Sequence, residues 1–85
     1  MAYLTNLKWM SDFAEYSPEE RKVLLALSHD KYKWRTRDRL EGVTRMESRE
    51  LDLTLAHLLE DDLVRPSFSK KRNIIFGLME RVGKG

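Results

Sequence analysis

Four leucines in the second half of the chain restrict its fold more than any other feature. They recur at intervals of four, three and one residues, which is the spacing of one face of an α-helix. These leucines are Leu51, Leu55, Leu58 and Leu59. The spacing predicts a helix over residues 48–62 that buries this face. A chain of 85 residues buries only about 60 to 65% of its unfolded surface, so the helix must share one core with the other elements.

A shorter helical pattern comes just before this helix. Leu40 and Val43 lie on one side of it, and the hydroxyl of Thr36 is placed to cap its amino end. Met46 lies between the two patterns, where a turn must hold one apolar side chain beneath both helices. Residues 36–64 therefore predict two helices joined by a short turn and followed by a strand-like exit.

The amino-terminal segment, residues 1–16, carries apolar residues at spacings of three, which predicts a short amphipathic helix. These residues are Leu4, Leu7, Met10 and Phe13, whereas Trp9 and Tyr16 lie off their stripe. The helix is expected to pack on the domain, and pairing with a second copy of the chain is the alternative. Residues 17–85 are expected to form the domain itself. Its first helix starts at the capping box Ser17-Pro18-Glu19-Glu20 and runs to about Ser28.

Residues 31–35 alternate basic and aromatic side chains, which is the period of a short strand with one buried face. Tyr32 and Trp34 would then point inward. Interleaved basic and aromatic residues can also form a platform for nucleic acid. With only two rings before a helix, core packing is the favoured interpretation.

The last third of the chain predicts a β-hairpin. Residues 63–69 form its first strand, and Pro66 must lie where no backbone donor is needed, as on a sheet edge. Residues 69–73 form the turn and residues 73–80 the return strand. The tail, residues 81–85, is expected to fray. The predicted fold is therefore α+β and mainly α.

Composition excludes several classes of protein. The absence of cysteine excludes disulfides and thiolate metal sites and is compatible with a reducing cytoplasm. No apolar run approaches ~20 residues, as a bilayer span would need, and the first ten residues lack the order of a signal peptide. His29 and His57 belong to different elements and have no motif partners. An enzyme, a cofactor and a metal site are therefore not expected, and a cytoplasmic location is.

The predicted order of elements resembles the winged helix-turn-helix superfamily, in the form found in small bacterial and phage transcription regulators. The residues that carry the resemblance are Thr36, Leu40, Met46, Leu51, Leu55, Leu58, Leu63 and Val64. Residues 76–83 are similar to the end of the wing strand in such regulators. The resemblance covers roughly three quarters of the chain. It implies a winged helix-turn-helix with a short first strand, a C-terminal hairpin as the wing and an additional N-terminal helix.

The resemblance also implies a mode of binding to double-stranded DNA. The third helix of the domain would enter the major groove, the wing tip would lie on the flanking backbone, and the second helix would start on a phosphate. Charge supports two parts of this arrangement. Residues 31–45 hold six basic side chains against two acidic ones, and residues 65–73 hold four basic side chains and no acidic one.

The third helix fits that arrangement less well. Residues 48–62 hold one arginine against five acidic side chains. With the leucine face buried, a rotation of 100° per residue turns Arg49, Leu53, Ala56, His57 and Glu60 outward. Base-reading helices usually present Arg, Asn, Gln or Ser at such positions.

Two other positions depart from the family pattern. Arg45 stands where glycine is common, so its backbone must accept a left-handed conformation or the turn must differ. Glu41 stands where a buried alanine is usual, and Gly42 is expected to serve the close approach of the helices instead.

Two functions follow as hypotheses. The first is a small DNA-binding transcriptional regulator that contacts mainly the phosphate backbone. Its expected nucleic-acid-binding residues are Arg35, Thr36, Arg37, Arg39, Arg45, Ser48, Arg49, His57, Lys70, Lys71 and Arg72. The alternative is a protein-interaction or dimerisation module on the same scaffold, which would use Leu53 and Ala56. The expected partners are double-stranded DNA, a protein, or a second copy bound through the N-terminal helix, and not a membrane.

Overall fold

The computed structural model describes residues 7–83 and packs its helices against a three-stranded antiparallel sheet. In chain order its elements are a 3-10 helix (Lys8–Glu15), α1 (Pro18–Ala26), β1 (Arg35–Thr36), α2 (Arg37–Thr44), α3 (Ser48–Glu60), β2 (Val64–Phe68), β3 (Ile74–Leu78) and α4 (Met79–Val82). The predicted fold class is confirmed: the chain is mainly α, with a short first strand, a C-terminal hairpin and an N-terminal helix. This topology is compatible with a winged helix.

Side-chain caps start two of the helices, as their sequences predict. The hydroxyl of Ser17 accepts from the backbone N–H of Glu20 at 3.2 Å, and the Glu20 carboxylate accepts from the Ser17 N–H at 2.9 Å. The hydroxyl of Thr36 accepts from the backbone N–H of Arg39 at 3.1 Å. Each cap satisfies donors that the first helical turn leaves without a partner. The two starts are therefore determined locally.

The core lies between the helices and one face of the hairpin. Its buried apolar residues are Trp9, Val23, Leu24, Leu27, Leu40, Met46, Leu51, Leu55, Leu58, Val64, Phe76 and Leu78. The predicted leucine face of α3 is confirmed, with Leu59 packed at its margin. Met46 is 5% exposed beneath α2 and α3, as its position in the turn predicts.

The buried side of α2 differs from the prediction at one position. Val43 is 48% exposed, whereas Leu40 is fully buried and Thr44 is 9% exposed. The Thr44 hydroxyl donates to the carbonyl oxygen of Leu40 at 2.6 Å, which satisfies it inside the protein. Since Leu40 and Thr44 are four residues apart, they define the inner face of this short helix. Val43 therefore lies at the surface.

The N-terminal segment buries a residue that its spacing assigns to the outside. Trp9 is 2% exposed, and its indole N–H donates to the hydroxyl of buried Ser28 at 3.0 Å. Phe13 is 47% exposed because the 3-10 helix is kinked at Asp12, where φ is −109° and ψ is 24°. The expectation that Trp9 lies off the packed face is wrong. Leu4, which belongs to the expected stripe, lies outside the described residues.

Residues 31–34 form a loop where the alternating pattern predicts a strand. Tyr32 is 52% exposed, and β1 contains only Arg35 and Thr36. The guanidinium of Arg81 donates from Nη1 to the carbonyl oxygens of Leu27, His29 and Tyr32 at 2.7 to 3.2 Å. The Arg81 side chain therefore joins α4 to the segment between α1 and β1. The expectation that the tail frays is wrong for Arg81, which lies in α4, and residues 84 and 85 lie outside the described residues.

The hairpin completes the sheet in the order β1-β3-β2. Pro66 in β2 lies opposite Phe76 in β3. Because β2 is an edge strand, the missing N–H of Pro66 costs no inner ladder bond, and the edge position predicted for Pro66 is confirmed. No helix within residues 7–83 is long and apolar enough to cross a membrane.

The two glycines within helices and strands differ in what surrounds them. A Cβ at Gly77 in β3 would lie 2.9 Å from the Lys33 carbonyl oxygen and 2.9 Å from a methyl of Val82, so the fold requires glycine there. Among residues 7–83, a Cβ at Gly42 in α2 would meet no atom within 4 Å. The expectation that Gly42 permits a close approach of helices is therefore wrong. Its backbone faces open space.

Replacing Gly42 with alanine is expected to stabilise the protein. Alanine loses less backbone entropy than glycine in a helix interior, which is worth about 0.5–1 kcal/mol, and the new methyl group meets nothing. The thermal midpoint should rise by roughly 2–8 °C for a domain of this size. Circular dichroism during heating measures the change, with the destabilising Gly77→Ala variant as a contrast. An unchanged or lower midpoint for Gly42→Ala would contradict the open environment of this residue.

Candidate nucleic-acid interface

The basic residues around the start of α2 lie at the edge of the sheet. Arg35 and Thr36 form β1, which pairs with Phe76 and Ile75 of β3. Ile75 is three residues from Arg72 at the hairpin tip, which corresponds to roughly 10 Å at ~3.3 Å per strand residue. The start of α2 and the hairpin tip are thus neighbours along one sheet.

Arg37, the first residue of α2, is bound by other side chains and carbonyl groups of the domain. Its Nε lies 2.6 Å from Asp52 Oδ1, and its Nη1 lies 3.4 Å from Glu41 Oε1. Its Nη2 donates to the carbonyl oxygen of Ser48 at 2.9 Å and also to the Ser48 hydroxyl. The hydrogen bond to Asp52 raises the pKa of Arg37 above its ordinary value. Arg37 therefore joins α2 to the start of α3, and two carboxylates neutralise its charge.

Arg35 is also engaged within the fold. Its Nε donates to the carbonyl oxygen of Ala26 at 3.0 Å, and its guanidinium carbon lies 4.9 Å from the centre of the Tyr32 ring. These contacts connect the end of α1 to β1. Arg35 is half-buried.

Arg45 and Arg49 flank the turn between α2 and α3, and both are exposed. Arg45 ends α2 in the left-handed conformation, with φ 58° and ψ 27°. This is the first of the two outcomes expected for a residue that stands where glycine is common. Its backbone N–H donates to the carbonyl oxygen of Glu41 at 2.9 Å and closes the helix. Arg49 belongs to the first turn of α3. Together with exposed Arg39 on α2, they are cations available to a ligand.

The outer face of α3 is exposed, as the helical rotation predicts. Its residues are Arg49, Leu53, Ala56, His57 and Glu60. Leu53 is 58% exposed. Leu53 and His57 share a shallow depression with Glu19, Glu20 and Glu50, in which α1 and α3 contribute the carboxylates. One flank of this helix is therefore apolar and acidic.

The hairpin tip presents three consecutive cations, Lys70, Lys71 and Arg72, and all three are exposed. The backbone shapes the tip independently of their side chains. Ser69 N–H donates to the carbonyl oxygen of Asn73 at 2.9 Å, and Arg72 N–H donates to the carbonyl oxygen of Ser69 at 2.9 Å. Arg72 takes a positive φ of 64° to close the turn. Within residues 7–83, the three side chains form no ion pair.

Two apolar side chains beneath the tip escaped the sequence prediction. Phe68 and Ile74 lie opposite each other in the hairpin and are 69% and 49% exposed. Because the register alternates faces, they lie on the same face as buried Val64 and Leu78. The core face of the hairpin thus continues beyond the core. An alternating apolar pattern could have revealed this face, but not where the core ends along it.

The predicted nucleic-acid-binding residues therefore fall into three groups. Arg39, Arg45, Arg49, Lys70, Lys71 and Arg72 are exposed cations around one sheet edge and one turn. Thr36, Arg35, Arg37 and Ser48 are engaged in contacts that hold the elements together. His57 lies apart, beside carboxylates on the far flank of α3. Within residues 7–83, no group of three or more potential ligand side chains is arranged to hold a metal ion.

Comparison with protein-family models, curated proteins and solved structures found no match for this chain.

Proposed function

We propose that this protein is a winged-helix DNA-binding module that holds double-stranded DNA mainly by its phosphate backbone and serves in transcription regulation. One observation carries the proposal: three exposed cations stand together at the hairpin tip, without an ion pair among residues 7–83. Lysines at a hairpin tip can also serve solubility without binding any ligand. The tip of this protein, however, lies along the same sheet as the start of α2, where Arg39 is a further exposed cation.

In this proposal each exposed cation binds a phosphate. The tip lies on the flanking backbone, and Arg39, Arg45 and Arg49 contact phosphates beside the groove that α3 enters. Arg37 acts indirectly, because its bonds to Asp52 and Ser48 hold the start of α3 at a defined distance from α2. Phosphate contacts position a protein on DNA without carrying sequence information.

Base reading is weak in this arrangement. Leu53 and Ala56 can contact only apolar base edges such as the thymine methyl group. The acidic residues at the carboxyl end of α3, Glu60 and Asp61, would lie away from the groove. We therefore expect modest sequence specificity and a steep dependence of affinity on salt.

A fluorescence anisotropy titration with two unrelated duplexes at several ionic strengths tests the proposal. The six exposed cations are Arg39, Arg45, Arg49, Lys70, Lys71 and Arg72. If each binds a phosphate, log K should fall with log salt with a slope of up to about −5, and the two duplexes should bind alike. Absence of binding at low ionic strength, or binding that salt does not weaken, would reject the proposal.

Replacing Asp52 with asparagine is expected to strengthen duplex binding. The Asp52 side chain is 60% exposed and pairs with Arg37, so asparagine removes one negative charge from the surface and leaves less of the Arg37 charge neutralised, while Arg37 keeps its bonds to Ser48 and Glu41. The salt slope should steepen by up to about one unit. The matched control is Asp12→Asn, which removes an exposed carboxylate from the N-terminal 3-10 helix. Equal effects of the two variants would show that only net charge matters.

The exposed Leu53 favours a second function, in which α3 docks a protein or a second copy of the chain. Its side chain is 58% exposed next to exposed Ala56, on a face whose carboxylates repel DNA. Sedimentation of the free protein, with Leu53→Gln as the variant, separates the two functions. Self-association that Leu53→Gln removes, in a protein that does not bind duplex DNA, would favour this second function.

A further inference from the structure

A groove runs between α1 and α2. Of the proposed DNA contacts, it includes Arg45 alone. It encloses about 580 Å³. Leu25, Ala26 and Val43 form its apolar floor. Leu25 and Val43 are 40% and 48% exposed, whereas Val23, Leu24 and Leu40 on the same two helices are buried. The groove is therefore an apolar surface that residues 7–83 leave uncovered.

Gly42 opens this groove. It lies inside α2, where glycine costs about 0.5–1 kcal/mol relative to alanine, and no neighbouring atom requires it. Backbone without a side chain permits another molecule to approach closely. The fold therefore explains Gly77 and does not explain Gly42, whereas an occupant of the groove would.

The rim of the groove is basic. Lys22, Arg35 and Arg45 line it from α1, β1 and the end of α2. Among the residues that the structure describes, no carboxylate lines it. A ligand with negative charge on both sides of an apolar group would complement this surface.

We propose that the groove docks an acidic segment of a partner protein, which inserts an apolar side chain over Gly42 and places carboxylates against Lys22 and Arg45. Helical and extended peptides commonly bind in this way, with apolar anchors in a groove and charges at its rim. The apolar floor suits a peptide side chain better than a base edge, because it offers no hydrogen-bond donor, although Arg45 at the rim also belongs to the proposed phosphate contacts. The proposal does not depend on DNA binding by the hairpin tip.

Methyl NMR spectroscopy of the full chain tests this proposal with two synthetic peptides. The first is an amphipathic peptide of leucine, glutamate and aspartate, and the second replaces every acidic residue with lysine. We expect the acidic peptide to shift the methyl signals of Leu25 and Val43, and the lysine peptide to leave them unchanged. A higher salt concentration should weaken binding of the acidic peptide, because the charges at the rim of the groove are exposed to solvent.

A substitution that fills the groove provides the decisive comparison. Gly42→Gln places the neutral side chain of a good helix former in open space. We expect this variant to bind the acidic peptide at least about tenfold more weakly. Ala14→Gln places the same side chain at an exposed position of the N-terminal 3-10 helix, and this variant should bind the peptide as the unmodified protein does. Lys22→Glu should weaken binding of the acidic peptide without filling the groove.

Three results would overturn the proposal. The first is equal binding of both peptides, and the second is unchanged peptide affinity in both Gly42→Gln and Lys22→Glu. The third is a shift of the Leu25 and Val43 methyl signals by duplex DNA that Gly42→Gln abolishes, which would assign the groove to the nucleic-acid surface. A failure of duplex binding in the anisotropy titration would reject the proposed DNA function and leave the peptide result intact.

Discussion

Replacing Lys70, Lys71 and Arg72 together with alanine is expected to flatten the salt dependence of duplex binding by up to about three units of slope. Each of these cations is exposed at the hairpin tip and would release one phosphate's counterions when it binds. Affinity at low ionic strength should fall for every duplex, since phosphate contacts do not distinguish sequences. Anisotropy titrations at a series of salt concentrations measure both effects.

A double variant of equal charge is the control for this prediction. Lys70→Ala with Lys71→Ala should flatten the slope by up to about two units. Lys8→Ala with Lys22→Ala removes the same net charge from exposed positions on the 3-10 helix and α1 and should change the slope little. The backbone hydrogen bonds of the turn do not use these side chains, so the hairpin should persist. If the triple variant binds DNA at low salt as tightly as the unmodified protein, the tip does not contact DNA.

Trp9→Ala is expected to cause the largest loss of stability among the substitutions considered. The indole is 2% exposed within the core, and removing a buried aromatic side chain typically costs about 3–5 kcal/mol. The variant also removes the donor to Ser28, whose hydroxyl keeps its bond to the Leu24 carbonyl oxygen at 2.7 Å. The thermal midpoint should fall by more than about 10 °C. Urea unfolding followed by circular dichroism measures the free energy.

Phe13→Ala is the matched control for Trp9→Ala. Phe13 belongs to the same 3-10 helix and its ring stacks on Trp9 with centroids 5.8 Å apart, but it is 47% exposed. Its removal creates no cavity and should cost about 1 kcal/mol or less. If the two variants lose the same stability, the N-terminal segment is not an integral part of the core.

The candidate surface combines two kinds of basic residue that charge counting does not distinguish. Arg35 and Arg37 stand in the same basic run as Arg39 and Arg45, yet the first two are engaged within the fold. Arg37 finds Asp52 fifteen residues further along the chain. A count along the sequence identifies the run, whereas only the packing of α2 against α3 separates the internal cations from those free to meet a ligand.

Features that depend on near neighbours along the chain could be predicted from local patterns. The caps at Ser17 and Thr36 need only a hydroxyl and an N–H three residues later. The leucine face of α3 follows from helical spacing. Such features form from interactions over about one helical turn, so local patterns predict them.

Which apolar residues are buried in the core, and which segments form loops, depends on contacts between residues that are distant in the sequence. Trp9 is buried where Ser28, two residues beyond the end of α1, accepts its indole N–H, and residues 31–34 form a loop because Arg81, about fifty residues later, binds the carbonyl oxygens around it. Gly42 opens a groove because of the position of α1. These outcomes depend on distances across the folded chain, and the spacing of residues along a single helix or strand contains no information about them.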